Sequence, residues 1–249
     1  MNETITLSEE GGVRYLHFGT PWVQGAMRLS RPFDLELEYV RDMMAWLLFL
    51  HAPPRLLQLG LGAGSLAKWC WKHLPDTQIT CVERSPQVLA ACQQYFRLPS
   101  EDERLRVDIA DAARALRNPA WAGYFGVIQI DLYDAQAEGP VLDSLAFYRS
   151  ARAALAEPGV LVVNLFGRGH TSGARSIERL QSVFQGRLLI LPSTEAGNRI
   201  VLAFRGPPMR LKDFTAADLE RGLQARAAWI DRRFRLGANR WLRAGLPLE

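Results

Sequence analysis

The chain has 249 residues, 48% hydrophobic and 22% charged, with 30 Lys and Arg against 26 Asp and Glu for a formal charge of +4, an ordinary makeup for one main globular domain with small additions. The longest apolar stretch, MMAWLLFLHAPP from Met43, is too short to span a bilayer, and the acidic start MNETITLSEEGG lacks the basic-then-apolar layout of a secretory signal, so a cytoplasmic protein without membrane spans is expected. Cys70, Cys81 and Cys92 form no CxxC clip and read as buried free thiols, and His17, His51, His73 and His170 share no ligand spacing, so no metal is expected.

Residues 1 to about 50 carry short alternating stretches, VRYLHF and WVQGAMRL, broken by Gly19, Pro21 and Pro32. They predict a small antiparallel sheet, followed by a helix over Leu35 to Leu50. From Arg55 onward apolar runs alternate with helical stretches: RLLQLG, SLAKWCWKHL, QITCVE, PQVLAACQQYF, LRVDIAD, GVIQID, LAFYRSARAAL and GVLVVNLF. Strands apolar on both faces and separated by helices predict an α/β doubly wound, mostly parallel sheet covered on both sides. RLLILP and RIVLAF, parted only by STEAGN, predict a terminal antiparallel hairpin, and GRGHTSGARS from Gly167 reads as an exposed connection. RGPPMR, from Arg205, is the clearest linker, which divides the chain into a β region at 1–50, a main domain at 51–206 and a basic helical extension at 207–249.

Much of the positive excess lies in that extension. Its aromatics, Trp229, Phe234 and Trp241, are compatible with a nucleic-acid arm. However, Leu219, Leu223, Ala227 and Ile230 recur at three and four residues behind a cap formed by Thr215 and Asp218. That spacing favours an amphipathic helix that docks or forms a dimer, with no nucleic-acid partner.

Four rim positions of the predicted sheet suggest chemistry. In LGLGAGS the glycines Gly60, Gly62 and Gly64 follow a strand and open a helix, where the backbone can turn tightly and present amides to a ligand. The spacing is GxGxG, not the GxGxxG of dinucleotide binders, and favours an adenosyl-sulfonium donor; a plain turn is the alternative. Glu83 ends the next strand, about twenty residues on, where a carboxylate can accept both ribose hydroxyls. Asp108 and Asp111 in VDIADAA offer either an adenine contact or a helix cap, the cap being the favoured reading for Asp108. In GVIQIDLYDA an apolar strand delivers Asp131 to the rim with Asp134 three residues later. Two carboxylates there can attract an alkylammonium substrate and take the proton an amine must lose before attacking carbon, or Asp134 can simply stabilise a turn.

From about Arg14 to Phe204 the order of motifs resembles the spermidine synthases, the polyamine aminopropyltransferases. The matching pieces are WVQ, Tyr39, LGLGAGS, CVERSPQVLAACQQYF, VDIADAARAL, VIQIDLYDAQAEGP, FYRSARAALAEPGVLVVNL and LPSTEAGNRIVLAF. The resemblance implies a Rossmann-like, methyltransferase-type fold, a homodimer, and transfer of an aminopropyl group from decarboxylated S-adenosylmethionine to a small amine, releasing methylthioadenosine. It assigns Gln24, Glu83 and Asp111 to the adenosine half of the donor, Asp131 to the catalytic base, and Asp134 and Tyr39 to the amine. The departures fall on the polyamine half. The loop Asp that holds the aminopropyl amine is Ala63; the YQE or YHE triplet is Tyr39, Val40 and Arg41; a tyrosine is replaced by Thr194 and a proline by Ala135. Two other functions remain open on this basis. One is a methyltransferase using intact S-adenosylmethionine, against which stands Gln58 where many methyltransferases carry an acid; the other is an adenosyl-nucleoside-binding protein without turnover.

Overall fold

The strands of the central region divide their side chains between two apolar layers, as the period of two requires. The computed structural model, which describes residues 4–134, 141–166, 172–206 and 216–244, contains a seven-stranded sheet and a separate three-stranded one. In chain order the large sheet is built from β4 (Arg55–Leu59), β5 (Gln78–Glu83), β6 (Leu105–Ile109), β7 (Phe125–Ile130), β8 (Leu155–Leu165), β9 (Leu188–Ile190) and β10 (Arg199–Arg205). The spatial order is β6-β5-β4-β7-β8-β10-β9, and the first five run parallel. β10 lies antiparallel to both β8 and β9, which is the expected terminal hairpin.

One layer gathers Leu56, Ile79, Val127, Val160 and Val162 with the helices α2 (Ser65–His73) and α3 (Pro86–Tyr95). The other gathers Leu57, Val82, Ile128, Leu161 and Val163 with α4 (Ala112–Ala115), α5 (Leu145–Ala154) and α6 (Ser172–Phe184). Neighbouring residues of one strand thus belong to opposite layers, and the sheet is doubly wound. Helix α6 is absent from the sequence reading, which passed from GVLVVNLF directly to the hairpin. Residues 167–171 lie outside the described residues, and the helix begins at Ser172, inside the stretch read as a connection. All three cysteines are buried free thiols.

The N-terminal sheet consists of β1 (Thr6–Glu10), β2 (Val13–His17) and β3 (Gly25–Arg28), all antiparallel. The helix expected over Leu35 to Leu50 is instead a short α1 (Glu38–Asp42) and a 3-10 turn at Ala45–Leu48. Met43 through Leu48 are all buried. A segment enclosed on every side follows its packing rather than its helix propensity. At the other end α7 (Ala216–Phe234) buries Leu223, Ala227 and Ile230 in the first layer, and Phe234 meets Trp69 edge-on at 5.0 Å. This is the docked form of the expected amphipathic helix; Thr215 and the side chain of Leu219 lie outside the described residues. Among the described residues no helix is long and apolar enough to cross a membrane.

Candidate active site

The carboxyl ends of β4, β5, β7 and β8 converge on one cavity of about 560 Å³, within the roughly 300–1,000 Å³ usual for small-molecule sites. Its floor is the glycine loop. Gly60, Gly62 and Gly64 have φ of +93°, +53° and +66°, conformations that side chains rarely adopt. Gly60 is required twice over, because a Cβ there would stand 2.1 Å from the backbone oxygen of Asp131. Gly64 opens α2 without a side-chain cap, so the first amides of that helix remain available. Gly60 and Gly62 line the cavity.

Glu83, 8% exposed, also lines the cavity and grips the loop from the side. Its Oε2 accepts the N–H of Leu61 at 3.0 Å and its Oε1 the N–H of Ser85 at 2.9 Å. A carboxylate has about four acceptor positions, so these bonds fix its direction and leave capacity for hydroxyls. Asp111 lines the cavity and at the same time caps α4, its Oδ1 accepting the N–H of Arg114 at 2.8 Å. The capping role expected of Asp108 therefore belongs to Asp111. Asp108 lies within β6, bonded to Arg106 Nε at 2.5 Å and outside the cavity lining, because the strand continues one residue past it.

Asp131, the residue after β7, faces the cavity with both oxygens occupied. Asn164 Nδ2 donates to Oδ1 at 2.9 Å and the Tyr39 hydroxyl to Oδ2 at 3.4 Å. Asn198 Nδ2 in turn donates to Asn164 Oδ1 at 3.0 Å. Burial pushes the Asp131 carboxyl up to a pKa of about 6, against the downward pull of its two hydrogen bonds. The Tyr39 and Tyr133 phenols are both raised, chiefly by burial, and stay neutral donors. Tyr133 donates to the Asn164 carbonyl at 2.7 Å and meets Phe166 edge-on, as Trp22 also does, each at 6.4 Å between ring centres. The wall around Asp131 is thus aromatic and suited to a cation.

The remaining expected residues are placed unevenly. Gln24 lines the cavity and donates through Nε2 to the backbone carbonyl of Asp134 at 3.0 Å. Asp134 itself is not among the lining residues, and Ala135 lies outside the described ones. Arg41 turns away, donating to the carbonyls of Leu35 and Glu36 at 3.1 and 2.9 Å. Thr194 is 7% exposed and closes a turn, its Oγ1 accepting the N–H of Asn198 at 3.0 Å. Ala63 is 2% exposed in a small cluster with Leu16, Met27, Ala91 and Phe96. A Cβ added to Gly25 would come within 2.6 Å of its own. Gln58 is buried in the sheet, donating to Gln129 Oε1 at 3.1 Å, and does not reach the cavity.

The residues that sequence reasoning missed are Trp22, Tyr133, Asn164, Phe166 and Asn198. Asn164 carried a readable signal, a polar residue closing the apolar run VLVVN.

No protein-family model matches the chain. It is 41% identical over 205 residues to the polyamine aminopropyltransferase of Neisseria meningitidis serogroup A, covering 82% of this chain and 77% of that protein. Among solved structures it resembles a spermidine synthase in complex with the transition-state analogue AdoDATO, with a TM-score of 0.61, 23% identity, and coverage of 94% of this chain and 89% of the other. It also resembles human methyltransferase-like protein 13 in complex with SAH, with a TM-score of 0.67, 25% identity, and coverage of 80% and 93%. Both neighbours share the fold. Taken with the extent of the sequence identity, the relation is clear: the chain belongs to the polyamine aminopropyltransferase family.

Proposed function

We propose that the protein transfers an aminopropyl group from decarboxylated S-adenosylmethionine to a small amine, releasing methylthioadenosine. The observation that carries this reading is Asp131: a cavity-facing carboxylate with a pKa of about 6, held by Asn164 and Tyr39 inside an aromatic wall. A base whose pKa lies near the working pH can take a proton without holding it too tightly. Asp131 removes the proton from the incoming ammonium. The amine lone pair then forms a bond to the carbon beside the sulfonium, the carbon–sulfur bond breaks, and its electron pair remains on sulfur as a neutral thioether. The Trp22 and Phe166 rings, both lining the cavity, favour the cationic sulfur before transfer and lose that attraction once it is neutral.

Gln24, Glu83 and Asp111 hold the adenosine half in this reading, over the loop formed by Gly60, Gly62 and Gly64. Tyr39 contacts the amine in this reading; Asp134, assigned to the same substrate by the family resemblance, lies outside the cavity lining and would have to turn into it to make that contact. Residues 51–206 then form the nucleoside-binding unit between the β region at 1–50 and the extension at 207–249. A homodimer is what the family resemblance implies.

One observation favours a second donor. Ala63 is sealed under Gly25, so position 63 offers no acid to the tail of the donor, and a donor that keeps its carboxylate meets no repulsion there. Mass spectrometry of the nucleoside released from both donors, with mixed di- and polyamines, separates the two. Methylthioadenosine that depends on amine and on Asp131 supports aminopropyl transfer. S-adenosylhomocysteine supports methyl transfer, and release of neither overturns both.

A further inference from the structure

A chain of contacts runs from the C-terminal segment to Asp131. Arg240, in the 3-10 turn Ala238–Ala244, donates to the carboxylates of Glu38 and Asp42. The indole of its neighbour Trp241 donates to Asp42 at 2.8 Å. Asp42 and Trp241 are 2% and 1% exposed, so this is not a loose surface ion pair. Removing its cation would leave an acid buried and unpaired. The turn is itself fixed, since Asp231 on α7 accepts the N–H of Ala238 at 2.5 Å and the Asn239 amide at 2.9 Å.

Both acids belong to α1 and flank Tyr39, which donates to Asp131 Oδ2. Glu38 also accepts the backbone N–H of Glu195 at 3.1 Å. Glu195 sits in the turn from Thr194 to Asn198, and Asn198 supports Asn164, the donor to Asp131 Oδ1. Two routes therefore leave Arg240 and end on the two oxygens of one carboxylate. Arg240 does not line the cavity.

We propose that Arg240, assisted by Trp241, is a positioning residue for Asp131: by holding Glu38 and Asp42 it keeps both hydrogen-bond donors, Tyr39 and Asn164, in place on the carboxylate. The basic extension is on this account part of the active-site framework. The proposal rests on the reading of Asp131 as the base. The ionisable groups that interact with Asp131 are Tyr39 from α1 and Tyr133 from the segment after β7, both neutral phenols. Glu38, Glu83, Arg84 and Asp111 line the same cavity, so Arg240→Gln, which strips Glu38 of its cation, also acts through charge, and the charge-preserving Trp241→Phe isolates the hydrogen-bond effect.

The test compares wild type, Arg240→Gln and Trp241→Phe by 13C NMR titration of the Asp131 carboxyl, assigned by its loss in Asp131→Asn. The kcat, the amine KM and the donor Kd are measured in parallel. The two hydrogen bonds hold the carboxyl pKa down, so loosening them raises it. Arg240→Gln is expected to move it upward by about half to one unit and to lower kcat by roughly 10- to 100-fold, with donor Kd within about twofold. Trp241→Phe, which keeps every charge, should give a smaller shift of the same sign, and it carries the test if Arg240→Gln fails to fold. A lowered melting temperature with the Asp131 titration and kcat unchanged in both variants overturns the proposal. Wild type that transfers nothing overturns the aminopropyl reading instead, and the titration still decides the positioning role.

Discussion

Asp131→Asn should stabilise the protein while abolishing transfer, and the stabilisation should depend on pH. In the unfolded chain the carboxyl titrates near its ordinary value of 3.8, and in the folded protein at about 6. Between those values the folded state holds the proton and the unfolded state does not, so stability falls as pH rises through the window. Two units at about 1.4 kcal/mol each set a ceiling of about 3 kcal/mol above pH 7. Asp131 keeps some surface toward the cavity, so about 2 kcal/mol is the working figure once its residual hydration is allowed for. Asparagine carries no charge at any pH and escapes this cost. The melting temperatures of the two proteins should nearly coincide near pH 4 and separate by roughly 4–8 °C near pH 7.5, at about 2–4 °C per kcal/mol for a chain of this size. All other titrating groups are common to both proteins and cancel in the difference. A separation that stays constant from pH 4 to pH 8 would refute the raised pKa, and with it the account of Asp131 as a base kept ready by burial.

Glu83→Ala removes a carboxylate that orders the glycine loop, and calorimetry should show donor binding weakened by about 1–3 kcal/mol; unchanged affinity would reject its contact with ribose. Gly60→Ala places a methyl group 2.1 Å from the Asp131 backbone oxygen at a φ of +93°. It should give little folded protein, and an active, normally melting variant would contradict the loop geometry. Trp22→Ala should raise the apparent donor KM about three- to tenfold, as expected for loss of one partly desolvated cation–π contact of about 1 kcal/mol. No change in initial-rate kinetics would remove the aromatic wall from cation recognition.

The half of the site that was legible in the sequence is the half built at strand ends. Gly60, Glu83, Asp111 and Asp131 each follow or close an apolar run, and a parallel sheet brings such positions to one rim by topology alone. Trp22 and Asn198 reach the same cavity from distant segments with no spacing relation to the carboxylates, whereas Asn164, at the end of β8, obeyed the same strand-end rule and was overlooked. Asp108 misled because a strand's last residue cannot be fixed from composition; the cap belongs to Asp111. The continuous helix over Leu35 to Leu50 failed because its middle is apolar all round and therefore carries no face. Helix α6 was readable in principle, since Ile177, Leu180, Val183 and Phe184 recur at helical spacing and all pack in the second layer. The glycine-rich stretch before it drew the reading toward a loop.

The seal between Ala63 and Gly25 has a consequence for how this sequence can change. Restoring the family's acidic loop looks like a single substitution, Ala63→Asp. In this fold that change would drive a charge into a cluster of Leu16, Met27 and Phe96, a burial that costs several kcal/mol without a partner. Gly25 cannot retreat, because its strand is tied to β2 on the other side. Ala63→Asp made alone is therefore expected to lower the stability of the fold. Position 63 is thus constrained by its roof, the N-terminal sheet, as well as by the chemistry below it, and a substitution there acts on both.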